Sequence, residues 1–185
     1  MNLANLITLL RFPVLMGVVL LLYYGSSFGA LWTAGLILVL ILMDTADGVI
    51  ARWRHQETLI GSVLDIAADR TVEIVLWVVF AHLGLIPILI PIVVIMRGAM
   101  TDAVRGAVLQ YGYSAHDMMR SRLGRWLVAS PPMRTGYALT KVGAFTLLAV
   151  ALPALRRKAG YLPVWRAGVG FAWTSMAFCL MRGLP

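Results

Sequence analysis

Long apolar runs, each near the ~20 residues that cross a bilayer's hydrocarbon core, leave this chain few ways to fold. In lipid, backbone amides and carbonyls must pair within their own segment or around a closed barrel. These runs are too long and too continuous for barrel strands, so the sequence predicts an all-α integral membrane protein. Six transmembrane helices are expected. The first runs to about Tyr24, the second from about Phe28 to Ile50, and the third from near Leu59 to near His82. The fourth covers about Ile86 to Gln110, the fifth about Arg134 to Leu152, and the sixth about Val164 to Met181. A short N-terminal interfacial helix, Met1 to about Leu10, is expected ahead of them, with Asn2, Asn5 and Thr8 on its wetter side. Gly84 and Pro87 mark a tight turn. No linker or repeat stands out, so residues 1–185 read as a single domain.

Composition agrees. The chain is 61% hydrophobic and only 13% charged, which excludes an ordinary soluble domain. Its net charge of +8 comes mostly from arginines that flank apolar spans. That placement suits anionic headgroups and phosphate-bearing substrates; a nucleic-acid partner would need a solvated basic face. Cys179 is alone, so no internal disulfide forms and a free core thiol is expected. The tryptophans read as interfacial anchors and lipid contacts. No basic residue precedes the first apolar run, so a secretory signal peptide is not expected.

Against this background the segment Asp44–Asp69 is anomalous. It holds Asp44, Asp47, Asp65 and Asp69, half of the eight acidic residues in the chain. An Asp at the centre of a membrane helix costs roughly 2.5–3.5 kcal/mol on insertion scales, so such residues persist where they line a polar cavity or bind an ion. Asp44 and Asp47 are spaced i, i+3, and Asp65 and Asp69 i, i+4. Each pair shares a helical face, and the polar stretch Arg52–Leu59 turns the chain back so that the pairs face each other. Helix-end capping explains one Asp but not four. Oxygen-only ligands point to Mg²⁺ or Mn²⁺ rather than zinc. Four carboxylates suffice for two ions, and paired ions of that kind serve in-line displacement at phosphorus. Gly48, Ala51 and Gly61 lie on or beside these faces and let a ligand approach the backbone, while Arg52 can meet a phosphate bidentately.

The pattern D-x-x-D-G-x-x-A-R, eight residues, then G-x-x-x-D-x-x-x-D resembles that of the CDP-alcohol phosphotransferases. It is met at Asp44, Asp47, Gly48, Ala51, Arg52, Gly61, Asp65 and Asp69. The opening N-L-A-N-L-I-T-L-L-R is similar to the family's N-terminal segment. The resemblance implies transfer of a substituted phosphate from a CDP-linked lipid to an alcohol, with release of CMP. Combined with the chemistry, it implies that Asp44, Asp47 and Asp65 hold the ions and through them the donor's diphosphate. It places CDP over Gly48 and Gly61, within a binding set of Asp47, Gly48, Ala51, Arg52, Gly61 and Asp65. Asp69 would be a metal ligand, and either the general base for the acceptor hydroxyl or a ligand alone. Dimers are usual in the family, so a homodimer is expected.

For the acceptor, Arg97 to Arg105 resembles the R-x(7)-R run of phosphatidylglycerophosphate synthases, with Asp102 as a departure that would neutralise one of the two. Arg134-Thr135 resembles the family's K-x-K-T segment without its first Lys. Ile66 and Arg70 stand where several subfamilies have Pro and Lys, and Arg70-Thr71 is also similar to members that use an inositol phosphate. Glu73 is read as a structural partner of Arg70 or of an arginine on the fourth span. The leading expectation is CDP-diacylglycerol as donor and sn-glycerol 3-phosphate as acceptor, with an inositol phosphate as the alternative. A reading from another class is a divalent-cation transporter built on the same carboxylates. Transporter sites lie near the midplane on broken helices, whereas these Asp residues cluster toward one face and come with Gly, Ala and Arg.

Loop charge sets the expected orientation. Loops after the second and fourth spans carry Arg52, Arg54, Arg120, Arg122 and Arg125; those after the first and third carry no Lys or Arg. The carboxylates and both termini are therefore expected at the cytoplasmic face of the inner membrane. The loop Arg156-Arg157-Lys158 argues the other way.

Overall fold

The computed structural model describes residues 3–25, 29–53, 58–110, 130–157 and 162–182. Among them every regular element is a helix: α1 (Leu3–Tyr24), α2 (Gly29–Trp53), α3 (Leu59–His82), α4 (Leu89–Gln110), α5 (Pro131–Arg156) and α6 (Leu162–Met181). The all-α, membrane-integral class is as expected. By length and composition alone, Asn5–Tyr24, Gly29–Ile50 and Pro131–Arg156 are the three described helices able to cross a bilayer. Two of the others, α3 and α4, carry charged residues along one half, and several of these pair with one another, as described below.

Three boundaries show local chemistry at work. No break separates the expected interfacial segment from the first span, so α1 is one helix that runs through Pro13. Thr58 is extended at the start of α3, and its hydroxyl accepts the Gly61 N–H at 3.0 Å, an N-cap that satisfies one orphan donor. Helix α5 starts at Pro131, three residues before the expected Arg134, because Pro131 and Pro132 fit a first turn whose N–H groups need no helical partner.

Helix α1 packs on α2 and α3, α2 on α5, α3 on α4, and α6 on both α4 and α5. The core lies where they meet. Trp77 and Phe80 of α3 are fully buried, and both rings pack on Phe145 of α5, Trp77 edge-on at 4.6 Å and Phe80 stacked at 5.8 Å. Trp77 thus corrects the reading of the tryptophans as anchors. Its position two turns past Asp69 puts it in mid-bundle, where a large ring fills volume. Trp32 and Trp53 are exposed, as anchors would be. The α5–α6 pair is antiparallel and close. Gly136 faces the Phe178 ring and Gly143 the Phe171 ring, so a seven-residue step along α5 matches a seven-residue step back along α6. Small residues at such crossings let helices approach without a hydrophobic driving force.

The alternating helices have two distinct ends. At one, the Tyr23 ring lies 5.8 Å from His82, Arg156 donates to the Leu22 carbonyl at 2.7 Å, and the Trp165 indole donates to the Leu85 carbonyl at 3.0 Å. Gly84, with φ +73°, makes the tight turn there, as expected. The other end gathers the starts of α1, α3 and α5 with the ends of α2, α4 and α6. Nearly all the charge among the described residues lies at that end.

Candidate active site

Three of the four expected carboxylates come together. Asp44 near the end of α2 and Asp65 and Asp69 near the start of α3 all reach one point. That point is the guanidinium of Arg11, on α1. Arg11 Nη1 lies 3.0 Å from Asp44 Oδ1 and 3.4 Å from Asp65 Oδ1, and Nη2 lies 2.8 Å from Asp69 Oδ1. Arg11 is 1% exposed, whereas the three carboxylates are 33%, 43% and 55% exposed, so the cluster has a closed floor and an open mouth. Asp47 follows Asp44 by one turn on α2, but its side chain, with those of Ala51, Arg52 and Arg105, lies outside the described residues. Gly48 is half-buried on the same helix.

Gly61 earns its place by close approach. A Cβ there would stand 2.8 Å from Asn5 Oδ1 and 2.9 Å from Thr58 Oγ1. Asn5, Thr8 and Arg11 are spaced i, i+3, i+6. Thr8 is 3% exposed. The polar stripe of α1, expected on a wet outer side, instead turns inward and lines the carboxylate end of the bundle.

The residues fit a divalent ion in donor type: three carboxylates from two helices converge beside an open mouth. Among the described residues they do not close into a three-ligand cage, and one oxygen of each contacts Arg11.

Past Asp69 the polar layer continues. Arg70 reaches Asp102 on α4 at 3.5 Å and Glu73 at 3.8 Å. Asp102 therefore pairs with an arginine of α3; the expected pairing with Arg105 concerns a side chain outside the described residues. Gly98 makes this contact steric as well as ionic, since a Cβ there would meet Arg70 Nη1 at 3.3 Å. Glu73 is buried and receives the Tyr137 hydroxyl and the Lys141 ammonium, the latter at 3.4 Å. The structural role expected for Glu73 holds, with partners on α5 as well as Arg70.

A group of cations completes the layer. Arg182, just beyond α6, stacks on the Tyr137 ring at 5.5 Å. Burial, then the neighbouring Arg97 cation, pushes Arg182 below the ordinary arginine value, and Arg134 adds to the effect. The Nε atoms of both Arg97 and Arg182 are buried without a hydrogen-bond partner. Arg134 is exposed in the first turn of α5. Arg97 and Arg134 were expected in an acceptor site; Arg182 was missed. So was Arg11, although it closes the N-L-A-N-L-I-T-L-L-R opening and shares the Asn5–Thr8 face.

An all-helical membrane bundle with a carboxylate cluster and a cation group at one end defines the class: a membrane enzyme handling charged headgroups. A family model described as CDP-alcohol phosphatidyltransferase matches residues 1–181. The chain belongs to that family, and it is an enzyme that transfers a phosphatidyl group from a CDP-alcohol to an alcohol in phospholipid biosynthesis. Enzymes of this family generally depend on divalent metal. No curated protein matches the chain.

Proposed function

We propose that this enzyme makes phosphatidylglycerophosphate, transferring the phosphatidyl group of CDP-diacylglycerol to sn-glycerol 3-phosphate. The observation that carries the reading is the convergence of Asp44, Asp65 and Asp69 at one end of the bundle. Asp47 joins them by its place one turn along α2. Two divalent ions, Mg²⁺ or Mn²⁺, would be held by these four carboxylates, neutralising the donor's diphosphate and acidifying the acceptor hydroxyl. The cytidine end would lie over Gly48 and Gly61, and the motif assigns Ala51 and Arg52 to the same binding set. Asp69, the most exposed of the three described carboxylates, takes the proton from the acceptor hydroxyl. The hydroxyl oxygen bonds to the lipid-side phosphorus, that phosphorus loses its bond to CMP, and CMP departs.

A phosphorylated acceptor is favoured by the cation group. The Arg97 charge acts on Arg182, both are buried in part, and each has a buried Nε without a partner; an anion would offset the like charges and supply acceptors. Arg134, whose charge acts on Arg182, extends the same site, and the R-x(7)-R resemblance assigns Arg105 to it as well. An inositol phosphate would satisfy this chemistry too, and Arg70 beside Asp69 keeps it as the second reading. A cation transporter has no use for these arginines.

The carboxylate end faces the cytoplasm, where CMP and the acceptor are soluble, and the enzyme acts as a homodimer of six-span protomers in the inner membrane. The dissenting Arg156 has its own task, capping the α1 carbonyl of Leu22, so its charge need not report orientation. The test is direct. Purified protein with CDP-diacylglycerol and Mg²⁺ is offered glycerol 3-phosphate, inositol phosphate, inositol and serine, and CMP release is measured. Release with glycerol 3-phosphate alone is expected; release with inositol phosphate instead selects the second reading. Metal flux into liposomes without CMP release would overturn both.

A further inference from the structure

A lone arginine in an apolar helix ordinarily reaches for the membrane surface. Arg11 does the opposite. It is 1% exposed, its Nε is buried without a partner, and its two Nη atoms reach three carboxylates on α2 and α3. Burying a guanidinium with one donor unpaired is costly unless the remaining pairs repay it. Here the same contacts solve a second problem, because the three carboxylates would otherwise repel one another. One positive charge against three negative leaves the described cluster two charges short of neutrality, a deficit that suits a divalent ion. Each contact uses Oδ1, so the fork fixes where each carboxylate stands.

We propose that Arg11 is the resident cation of the carboxylate site, a positioning residue that holds Asp44, Asp65 and Asp69 assembled before any divalent ion arrives. The proposal rests on the reading of that cluster as a divalent-ion site. It makes α1 a part of the active site: α1 closes the floor on which α2 and α3 present their ligands. Without Arg11 the metal-free cluster is held only by its helices, and divalent ions then do the neutralising alone.

Thermal unfolding of the full-length protein in detergent tests this, with EDTA and with saturating Mg²⁺, for wild type, Arg11→Gln and Arg11→Lys. Arg11→Gln is expected to unfold well below wild type in EDTA, by on the order of 10 °C, and Mg²⁺ is expected to close most of that gap. Arg11→Lys keeps the charge but loses the fork, so its Mg²⁺-induced rise falls between those of wild type and Arg11→Gln. An equal Mg²⁺-induced rise in all three proteins would mean that Arg11 only packs, and would overturn the proposal while leaving the metal reading intact. If Arg11→Gln cannot be recovered, a rise in Arg11→Lys no larger than in wild type has the same force. No Mg²⁺- or Mn²⁺-induced rise in any protein, wild type included, would overturn the metal reading and this proposal together.

Discussion

Lys141 Nζ lies 3.4 Å from Glu73 Oε2, tying the first half of α5 to α3 just behind the carboxylate cluster. The Tyr137 hydroxyl donates to the other carboxylate oxygen, and Arg70 approaches Oε2 from α3 itself. Glu73 is therefore the joint between the two polar groups. Removing it strands Lys141 and Tyr137 in a poorly solvated place. Glu73→Ala is expected to cost about 3–5 kcal/mol of stability, the usual penalty for breaking a buried pair. Lys141→Met combined with Glu73→Gln removes both charges and should cost less than the sum of the single changes. Thermal unfolding of wild type, Glu73→Gln, Lys141→Met and the double variant measures this coupling, with Glu73→Ala alongside; strict additivity would show that the pair is not energetically linked.

Asp65 stands at the centre of the proposed chemistry whatever the acceptor. Asp65→Asn keeps the shape and removes a charged ligand. CMP release is expected to fall by at least ~10²-fold with every acceptor tried, and chelation of wild type should do the same. Loss with one acceptor only would assign Asp65 to acceptor recognition.

Much of this was legible in the sequence, for reasons visible at particular residues. The bounds of α3, near Leu59 and near His82, follow from the polar hairpin before it and from Gly84 as the turn residue beyond its end. The meeting of Asp44 with Asp65 and Asp69 follows from i, i+4 spacing on α3 and from a polar hairpin that turns the chain back. Arg11 was not legible because a single charge in an apolar helix has two solutions, outward to water or inward to a counter-charge, and helix periodicity does not choose. Arg182 reads as a flanking charge at the chain's end. Its meeting with Arg97 depends on α6 packing beside α4, a pairing of helices not consecutive in sequence. Trp77 was misjudged because the preference of tryptophan for interfaces yields to volume in mid-bundle.

The close α5–α6 crossing gives a paired test within one helix. A Cβ on Gly168 would meet Leu148 at 3.0 Å on Cδ2 and 3.2 Å on its backbone N, and the backbone cannot give way. Gly170, two residues on, has nothing within 4 Å. Gly168→Val is expected to destabilise by about 1–3 kcal/mol through overpacking. Gly170→Ala should be neutral or gain up to ~1 kcal/mol from helix propensity. Unfolding temperatures in one detergent compare them; equal effects would mean the helices can slide apart at no cost.

The cation group makes the sharpest claim about substrate. Burial and then the Arg97 cation lower Arg182, and both guanidinium groups have a buried Nε without a partner, so a phosphate bound between them would be attracted to both. On the proposed reading, such a site would recognise the phosphate of the acceptor and contribute little to a neutral alcohol. Arg182→Ala and Arg97→Ala are thus expected to raise KM for the phosphorylated acceptor about 10–100-fold, in line with ~1.5–3 kcal/mol for a charge-assisted contact, and to change kcat far less. Arg105→Ala should also hurt phosphorylated acceptors more than neutral ones. Arg182→Lys keeps the charge but not the fork, and should fall between. Steady-state CMP release against acceptor concentration separates the two constants. If kcat falls while KM for the acceptor stays put, the arginines belong to the reacting centre or to the fold, and the acceptor's phosphate must be held elsewhere.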